Sequence, residues 1–316
     1  MHLKKFLFIP IIALTSCSSN TILESKVFCF DSRMVSKLFE GNKEDLDTID
    51  SIFNKLDALT DNYRSRDVKG VYLLNQSSEE IAVDPLLYDV LYKAYEAKDQ
   101  GGFYFNPLTG SLSKKWKESL KSKQILDNST IQSELNKLQN SDILFKNDYV
   151  VQRVGDAEID LGGIAKGYAL DKIKEYLDSK NYQKYLIDAG SSSILLGKKD
   201  SSDSLFDVGI GGLENSYLKL KDCFVSSSGT ANQGVVIDGK TYSHIVNPYT
   251  GSVLNNYDAI ITISDKGYFG DYMATSMMMN SIEEIKVIDT QYNLKTIAIK
   301  NGQVVYKNEA LEILKH

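Results

Sequence analysis

The chain has 316 residues, of which 42% are hydrophobic and 25% charged, and its formal net charge is −6. This composition excludes a disordered or collagen-like chain, and the length suffices for a sizeable core. The acidic balance, without any run of Lys and Arg, excludes a nucleic-acid binder that works by neutralising phosphates.

The first residues do not read as part of a folded core. Lys4 and Lys5 precede an apolar run at 6–14, too short for the roughly 20 residues that span a bilayer. Leu14-Thr15-Ser16-Cys17 follows, then the polar Ser18-Ser19-Asn20. A small residue before Cys at the end of an export signal resembles a bacterial lipobox. It implies a signal peptide over 1–16, a lipid on Cys17 and a tether over 17–26, with the protein held on the extracytoplasmic side of the cell membrane. Cys29 and Cys223 remain; an exported chain allows them to pair, and their spacing does not decide it.

A strand is expected near 27–30. Leu46, Ile49, Phe53, Leu56 and Leu59 recur at helical spacing and predict a helix over 44–60. The apolar run 71–74 reads as a strand. Pro85 opens a second helix to 98, with Leu87, Val90, Leu91, Ala94 and Tyr95 on its apolar face and Gly101-Gly102 ending it. The polar stretch 117–140 reads as a helical surface excursion. Strands dominate from 142. Lys146-Asn147-Asp148 separates 143–145 from 149–154. Asp238-Gly239 and Asn301-Gly302 mark type I′ hairpins between 235–237 and 240–243, and between 294–300 and 304–307. Helices are expected at 164–179 and 270–280. Hairpins instead of a regular βαβ alternation predict an α+β fold. No internal repeat or linker is evident, so 27–316 is expected to form a single domain.

Three segments carry chemistry. Asp160-Leu161-Gly162-Gly163-Ile164-Ala165-Lys166-Gly167-Tyr168-Ala169-Leu170-Asp171 ends a strand, lets a ligand approach the backbone and opens a helix. Free N–H groups at such a helix start suit an anion, and Lys166 adds a charge, although a tight turn with a solvated Lys fits the same residues. Ser226-Ser227-Ser228-Gly229-Thr230 is followed by His244 in Tyr242-Ser243-His244-Ile245-Val246-Asn247-Pro248-Tyr249-Thr250-Gly251. A lone His in a strand is more often structural, but the loop beside it favours a site. In Gly270-Asp271-Tyr272-Met273-Ala274-Thr275, Asp271 and Thr275 share a helix face. Their hard oxygens suit Mg²⁺; equally, an Asp near a helix start needs only the dipole.

Taken together and in order, these segments resemble the ApbE family of FAD:protein FMN transferases, from about Phe28 to the C-terminus. Phe30-Asp31-Ser32, Tyr63 and the stretch from Gly102 to Trp116 add lesser matches. The chain departs from the family pattern at Asn106, at Asp188-Ala189-Gly190-Ser191, at Thr230-Ala231-Asn232 and at Asn247. The resemblance implies an α+β, T-fold-related architecture with antiparallel sheets and flanking helices. It implies Mg²⁺-dependent transfer of FMN from FAD, the substrate, to a Thr or Ser hydroxyl of an exported or membrane-bound target flavoprotein, with release of AMP. Carried over residue by residue, Asp271, Thr275 and the Gly163 carbonyl become metal ligands and His244 the general base. Phe30, Tyr63, Tyr104, Phe105, Asn106, Asp160, Lys166 and the Val246 backbone become flavin or adenine contacts, the aromatic ones serving equally well as core. Two alternatives stand beside this reading. With water as acceptor the same site is an FAD pyrophosphatase; without chemistry it is a flavin-carrying lipoprotein, which leaves Asp271, Thr275 and His244 without a task.

Overall fold

The computed structural model describes residues 22–98, 103–200, 202, 204–230, 234–253 and 255–315. The signal peptide, residues 17–21 of the expected tether with Cys17, Gly101-Gly102, Ala231 and Asn232 lie outside the described residues. In chain order the elements are β1 (Leu23–Cys29), β2 (Ser32–Leu38), α1 (Lys43–Thr60), α2 (Val71–Gln76), β3 (Ile81–Ala82), α3 (Pro85–Lys98), α4 (Gly110–Lys121) and α5 (Asn128–Gln139). Then come β4 (Asp142–Lys146), β5 (Val150–Val154), α6 (Ala165–Ser179), β6 (Tyr185–Ala189), β7 (Ser193–Leu196), β8 (Phe206–Gly209), β9 (Ser216–Leu220) and β10 (Cys223–Gly229). The last are β11 (Val235–Ile237), β12 (Lys240–Tyr242), β13 (Ala259–Ser264), α7 (Gly267–Met277), α8 (Ile282–Tyr292), β14 (Lys295–Lys300), β15 (Gln303–Lys307) and β16 (Leu314–Lys315).

Among the described residues the main sheet has eight strands in the order β1-β2-β6-β7-β10-β13-β14-β15. Every neighbouring pair in it is antiparallel. Both faces are covered, and the period of two makes two cores. On β13, Ile260 joins the core under the helices, where α1, α6 and α7 pack, while Ile261 and Ile263 join the opposite one. That second core is closed by Phe206 and Val208 of β8, Leu218 of β9 and Leu311. Cys29 lies in the first core and Cys223 packs against the second; both are free thiols.

Local signals account for several boundaries. The Asn42 side chain accepts the Asp45 N–H at 3.0 Å and caps α1, whose Leu46, Ile49, Phe53 and Leu56 are buried. Asp238-Gly239 and Asn301-Gly302 hold positive φ at both turn positions, as type I′ hairpins require. Two expectations are corrected. Residues 71–74 form the helix α2, not a strand. Arg153 draws this segment together by donating to the Leu74 carbonyl at 3.1 Å and the Ser77 carbonyl at 3.3 Å, while Asn75 pairs with the Ile159 backbone through both its amide atoms. Nor is 17–26 all tether: Leu23–Lys26 belong to β1 and pair with β2. The stretch 117–140 is largely helical and mostly exposed, as expected; it falls mainly in α4 and α5, whose Leu112, Trp116, Leu120 and Leu135 form a third core with Tyr242, Val246 and Val253. Trp116 Nε1 donates to the Gly251 carbonyl at 2.8 Å, which ties α4 to the loop after His244.

Candidate active site

The site forms where α6 and α7 start, over the ends of β7 and β10. Leu161 and Ile164 are buried and anchor the loop before α6, and Leu161 O accepts the Ile164 and Ala165 N–H groups. Gly163 is demanded by closeness: a methyl there would stand 3.1 Å from Thr275 Oγ1 and 3.2 Å from the Phe105 ring. On α7, Asp271 is buried (6% exposed). Its carboxylate accepts the Gly167 N–H at 2.9 Å and the Ser193 hydroxyl at 3.2 Å. Burial pushes its pKa up, against the pull of the Gly167 N–H, the Lys166 charge and the Ser193 hydroxyl. Burial pulls Lys166 down, against the fields of Asp271 and Asp188. The Lys166 ammonium donates to Ser192 Oγ at 3.2 Å. Thr275 Oγ1 and Ser228 Oγ are 2.8 Å apart, so the serine run of β10 closes the other side.

These donors fit a hard divalent cation. Asp271 and Thr275 offer a carboxylate and a hydroxyl one helical turn apart, with the Gly163 backbone against Thr275. A buried carboxylate without an ion pair in direct contact is costly, and a cation would relieve it. Among the described residues no group of three or more His, Cys, Asp and Glu stands close enough to hold a metal ion.

The remaining expected residues lie on several elements, some exposed and some buried. His244 follows β12 and is open to solvent, yet enclosed enough that desolvation, with the charges of Lys117 and Lys166, lowers its pKa from 6.5 to about 4. Its imidazole is therefore neutral at pH 7. Asp160, half-buried, accepts the Gly162 N–H at 2.8 Å, and burial holds its carboxyl above the ordinary range against that N–H and the charges of Lys114 and Lys117. Tyr63 is exposed, with the Lys117 ammonium 4.6 Å and that of Lys114 5.1 Å from its ring centre. Tyr104 is half-buried; its N–H donates to Ser276 Oγ at 2.8 Å and its ring meets Tyr249 edge-on. Phe105 and Val246 are buried in different cores. Phe105 packs on Tyr272 and presents its ring edge to Gly163.

Phe30 lies in the turn between β1 and β2, where Phe30 and Asp31 both hold φ +50°. Left-handed backbone costs such residues roughly 1–2 kcal/mol each. The turn is held by Asp57, which accepts the Phe30 N–H at 2.7 Å, and by Arg64 on Asp31. Strain held in this way is common beside functional sites.

Three departures from the pattern are locally employed. Asn106 Oδ1 accepts the Leu108 N–H, Asp188 Oδ1 accepts the Ser191 N–H, and Asn247 Oδ1 accepts the Tyr249 and Thr250 N–H groups. Each builds an Asx-type turn, which a short oxygen-bearing side chain can make. Sequence reasoning missed Ser193 and gave Asp171 no role. Asp171, on α6, accepts the Gly267 and Tyr268 N–H groups at 2.7 Å each. Nothing in a serine or aspartate by itself reveals a partner about a hundred residues away.

Residues 26–298 match the model of the ApbE family. A protein of Klebsiella pneumoniae named FAD:protein FMN transferase is 28% identical over 57% of this chain and 58% of its own length. Its namesake in Chlamydia muridarum is 25% identical over 86% of this chain and 88% of its own. Among solved structures, the ApbE protein from Thermotoga maritima superposes with a TM-score of 0.75 and 21% identity, over 93% of this chain and 97% of its own; that likeness concerns the fold alone.

Proposed function

Because the chain belongs to the ApbE family, we propose that it transfers the FMN half of FAD to a Thr or Ser hydroxyl of a partner protein and releases AMP. The observation that carries this reading is the meeting of Asp271 and Thr275, one turn apart on α7, with Gly163 and Lys166 at the start of α6. A lysine and a hard-oxygen set together suit a pyrophosphate and its metal.

Asp271, Thr275 and the Gly163 carbonyl would hold Mg²⁺, which when bound would supply charge neutralisation for the transferred phosphate. Lys166 and the start of α6 bind and orient the same anion. His244 takes the proton of the incoming hydroxyl on its neutral imidazole. The hydroxyl oxygen forms a bond to the FMN phosphorus, the bond from that phosphorus to the bridging oxygen breaks, and AMP leaves with that oxygen. Positioning and electrostatics do most of the work in such a transfer. Tyr63, Tyr104, Phe30 and Asp160 would bear on the flavin and adenine ends. The partner is an exported or membrane-bound flavoprotein, reached from a lipid anchor on Cys17.

The pH profile tests the role of His244. A base whose pKa is lowered works above that pKa and fails as pH falls through it. The acid limb of kcat/KM should therefore lie near pH 4, well below an ordinary histidine's 6.5. Bound FAD brings negative charge beside Lys166, so the kcat limb should lie higher. Profiles for the parent and for His244→Gln decide it: the limb should vanish with the imidazole, and a variant with parental rate and limb would remove His244 from this role.

The overall reading is tested by incubating the protein with FAD and Mg²⁺ and following AMP by chromatography, before and after a chelator. AMP that disappears with the chelator is expected. No AMP under any Mg²⁺ concentration would overturn the proposal, and AMP with free FMN, whatever acceptor is offered, would reassign the acceptor to water.

A further inference from the structure

Two pentapeptides of one pattern face each other beneath the candidate metal ligands: Gly167-Tyr168-Ala169-Leu170-Asp171 near the start of α6 and Gly267-Tyr268-Phe269-Gly270-Asp271 at the start of α7. Their contact is reciprocal. A methyl on either glycine would overlap the carbonyl oxygen of the other. The Gly167 N–H donates to Asp271 Oδ2 at 2.9 Å, and the Gly267 N–H donates to Asp171 Oδ1 at 2.7 Å. In each helix Gly and Asp are four residues apart and share a face.

The two carboxylates then differ. Asp171 places its second oxygen on the Tyr268 N–H at 2.7 Å, so both its oxygens hold the backbone of α7. Asp271 turns its second oxygen to Ser193 Oγ at 3.2 Å, on the side where Thr275 and Gly163 meet. α7 has no side-chain cap of its own, because Lys266 stands at its N-cap and has no acceptor. The first N–H groups of a helix require acceptors, and here the acceptor comes from another helix.

We propose that Asp171 is a positioning residue for the metal ligands: by clasping the start of α7 to α6, it fixes where Asp271 and Thr275 stand along α7 relative to Gly163. Asp171 itself touches neither cation nor substrate. The inference rests on the reading of Asp271 and Thr275 as ligands of Mg²⁺.

The test is Asp171→Asn, which keeps one acceptor of the two. Mn²⁺ binding is measured directly by electron paramagnetic resonance, without FAD. Alongside it, the Mg²⁺ dependence of AMP formation and the KM for FAD are recorded. The expected result is a loss of Mn²⁺ affinity of roughly 10–100-fold, the range found for outer-sphere partners of metal sites. Half-saturating Mg²⁺ should rise by the same factor, while KM for FAD at saturating Mg²⁺ stays at the parental value. Asp171→Glu keeps both oxygens and carries the same test if the Asn variant does not fold. A variant that melts earlier but keeps parental Mn²⁺ affinity and Mg²⁺ dependence would overturn the inference, because the clasp would then be structural only. A parent chain that binds no Mn²⁺ would overturn the metal reading itself and this inference with it.

Discussion

Asp271→Asn should abolish FMN transfer while leaving the protein folded. The substitution removes one negative charge and retains an oxygen that can accept the Gly167 N–H now bonded at 2.9 Å. Burial raises the Asp271 pKa, and a neutral amide of the same shape removes the desolvation cost of a buried charge, so the fold should be kept. A direct metal ligand should matter more than an outer-sphere partner, so the rate should fall by more than about 100-fold. Transfer at saturating FAD and Mg²⁺, paired with a thermal melt, checks both halves. A variant with parental rate would remove Asp271 from the metal site, and a variant that no longer melts cooperatively would make its role structural.

The second large effect is on stability, at Gly167→Ala. Alanine is the better helix former by about 1 kcal/mol, and propensity alone predicts a gain. Packing predicts the reverse. The added methyl would overlap the Gly267 carbonyl oxygen and stand 2.7 Å from Asp271 Cβ. Neither is the tip of a flexible side chain, so α6 and α7 must separate. Overpacking of this kind costs about 1–3 kcal/mol or more, and the crossing is at the severe end. A net loss of about 2 kcal/mol is expected in urea unfolding. Gly211→Ala is the control, since nothing lies within 4 Å of a methyl there, and it should be neutral within about 0.5 kcal/mol. Equal midpoints for Gly167→Ala and the parent would show that the helices do not cross as closely as described.

What the sequence revealed, and what it hid, follows from how far each signal reaches. The apolar spacing in α1 and the Asp238-Gly239 and Asn301-Gly302 turns act locally, and the structure has them where expected. The Phe30-Asp31 turn carries no glycine and no asparagine; Asp57 and Arg64 hold it from elsewhere in the chain, so no local signal exists. A short apolar run such as Val71-Tyr72-Leu73-Leu74 suits a strand or a helix equally, and Arg153 and Asn75 decide it through tertiary contacts. The stretch over α4 and α5 is polar in bulk, which concealed the stripe of Leu112, Trp116 and Leu120. α7 begins three residues before its expected start because its cap is Asp171, on another helix. At the site, Asp271, Thr275, Gly163 and Lys166 were legible as a motif, and the functional meaning came from the family pattern. Ser193 became visible only when the sheet brought it under α7, whereas Ser228 stood in the quoted serine run and gained its partner Thr275 there. The paired Gly-Tyr-x-x-Asp segments are too short to register as a repeat, and only their crossing gives them meaning.

The central claim is that the site formed by the start of α6 and by Asp271 and Thr275 of α7 moves FMN from FAD onto a protein hydroxyl. Intact-mass analysis of a candidate acceptor flavoprotein, after incubation with this protein, FAD and Mg²⁺, tests it most directly. The predicted result is one FMN adduct on a Thr or Ser of the acceptor, with one AMP released per adduct and neither product formed by the Asp271→Asn variant. An unmodified acceptor beside intact FAD would contradict the claim.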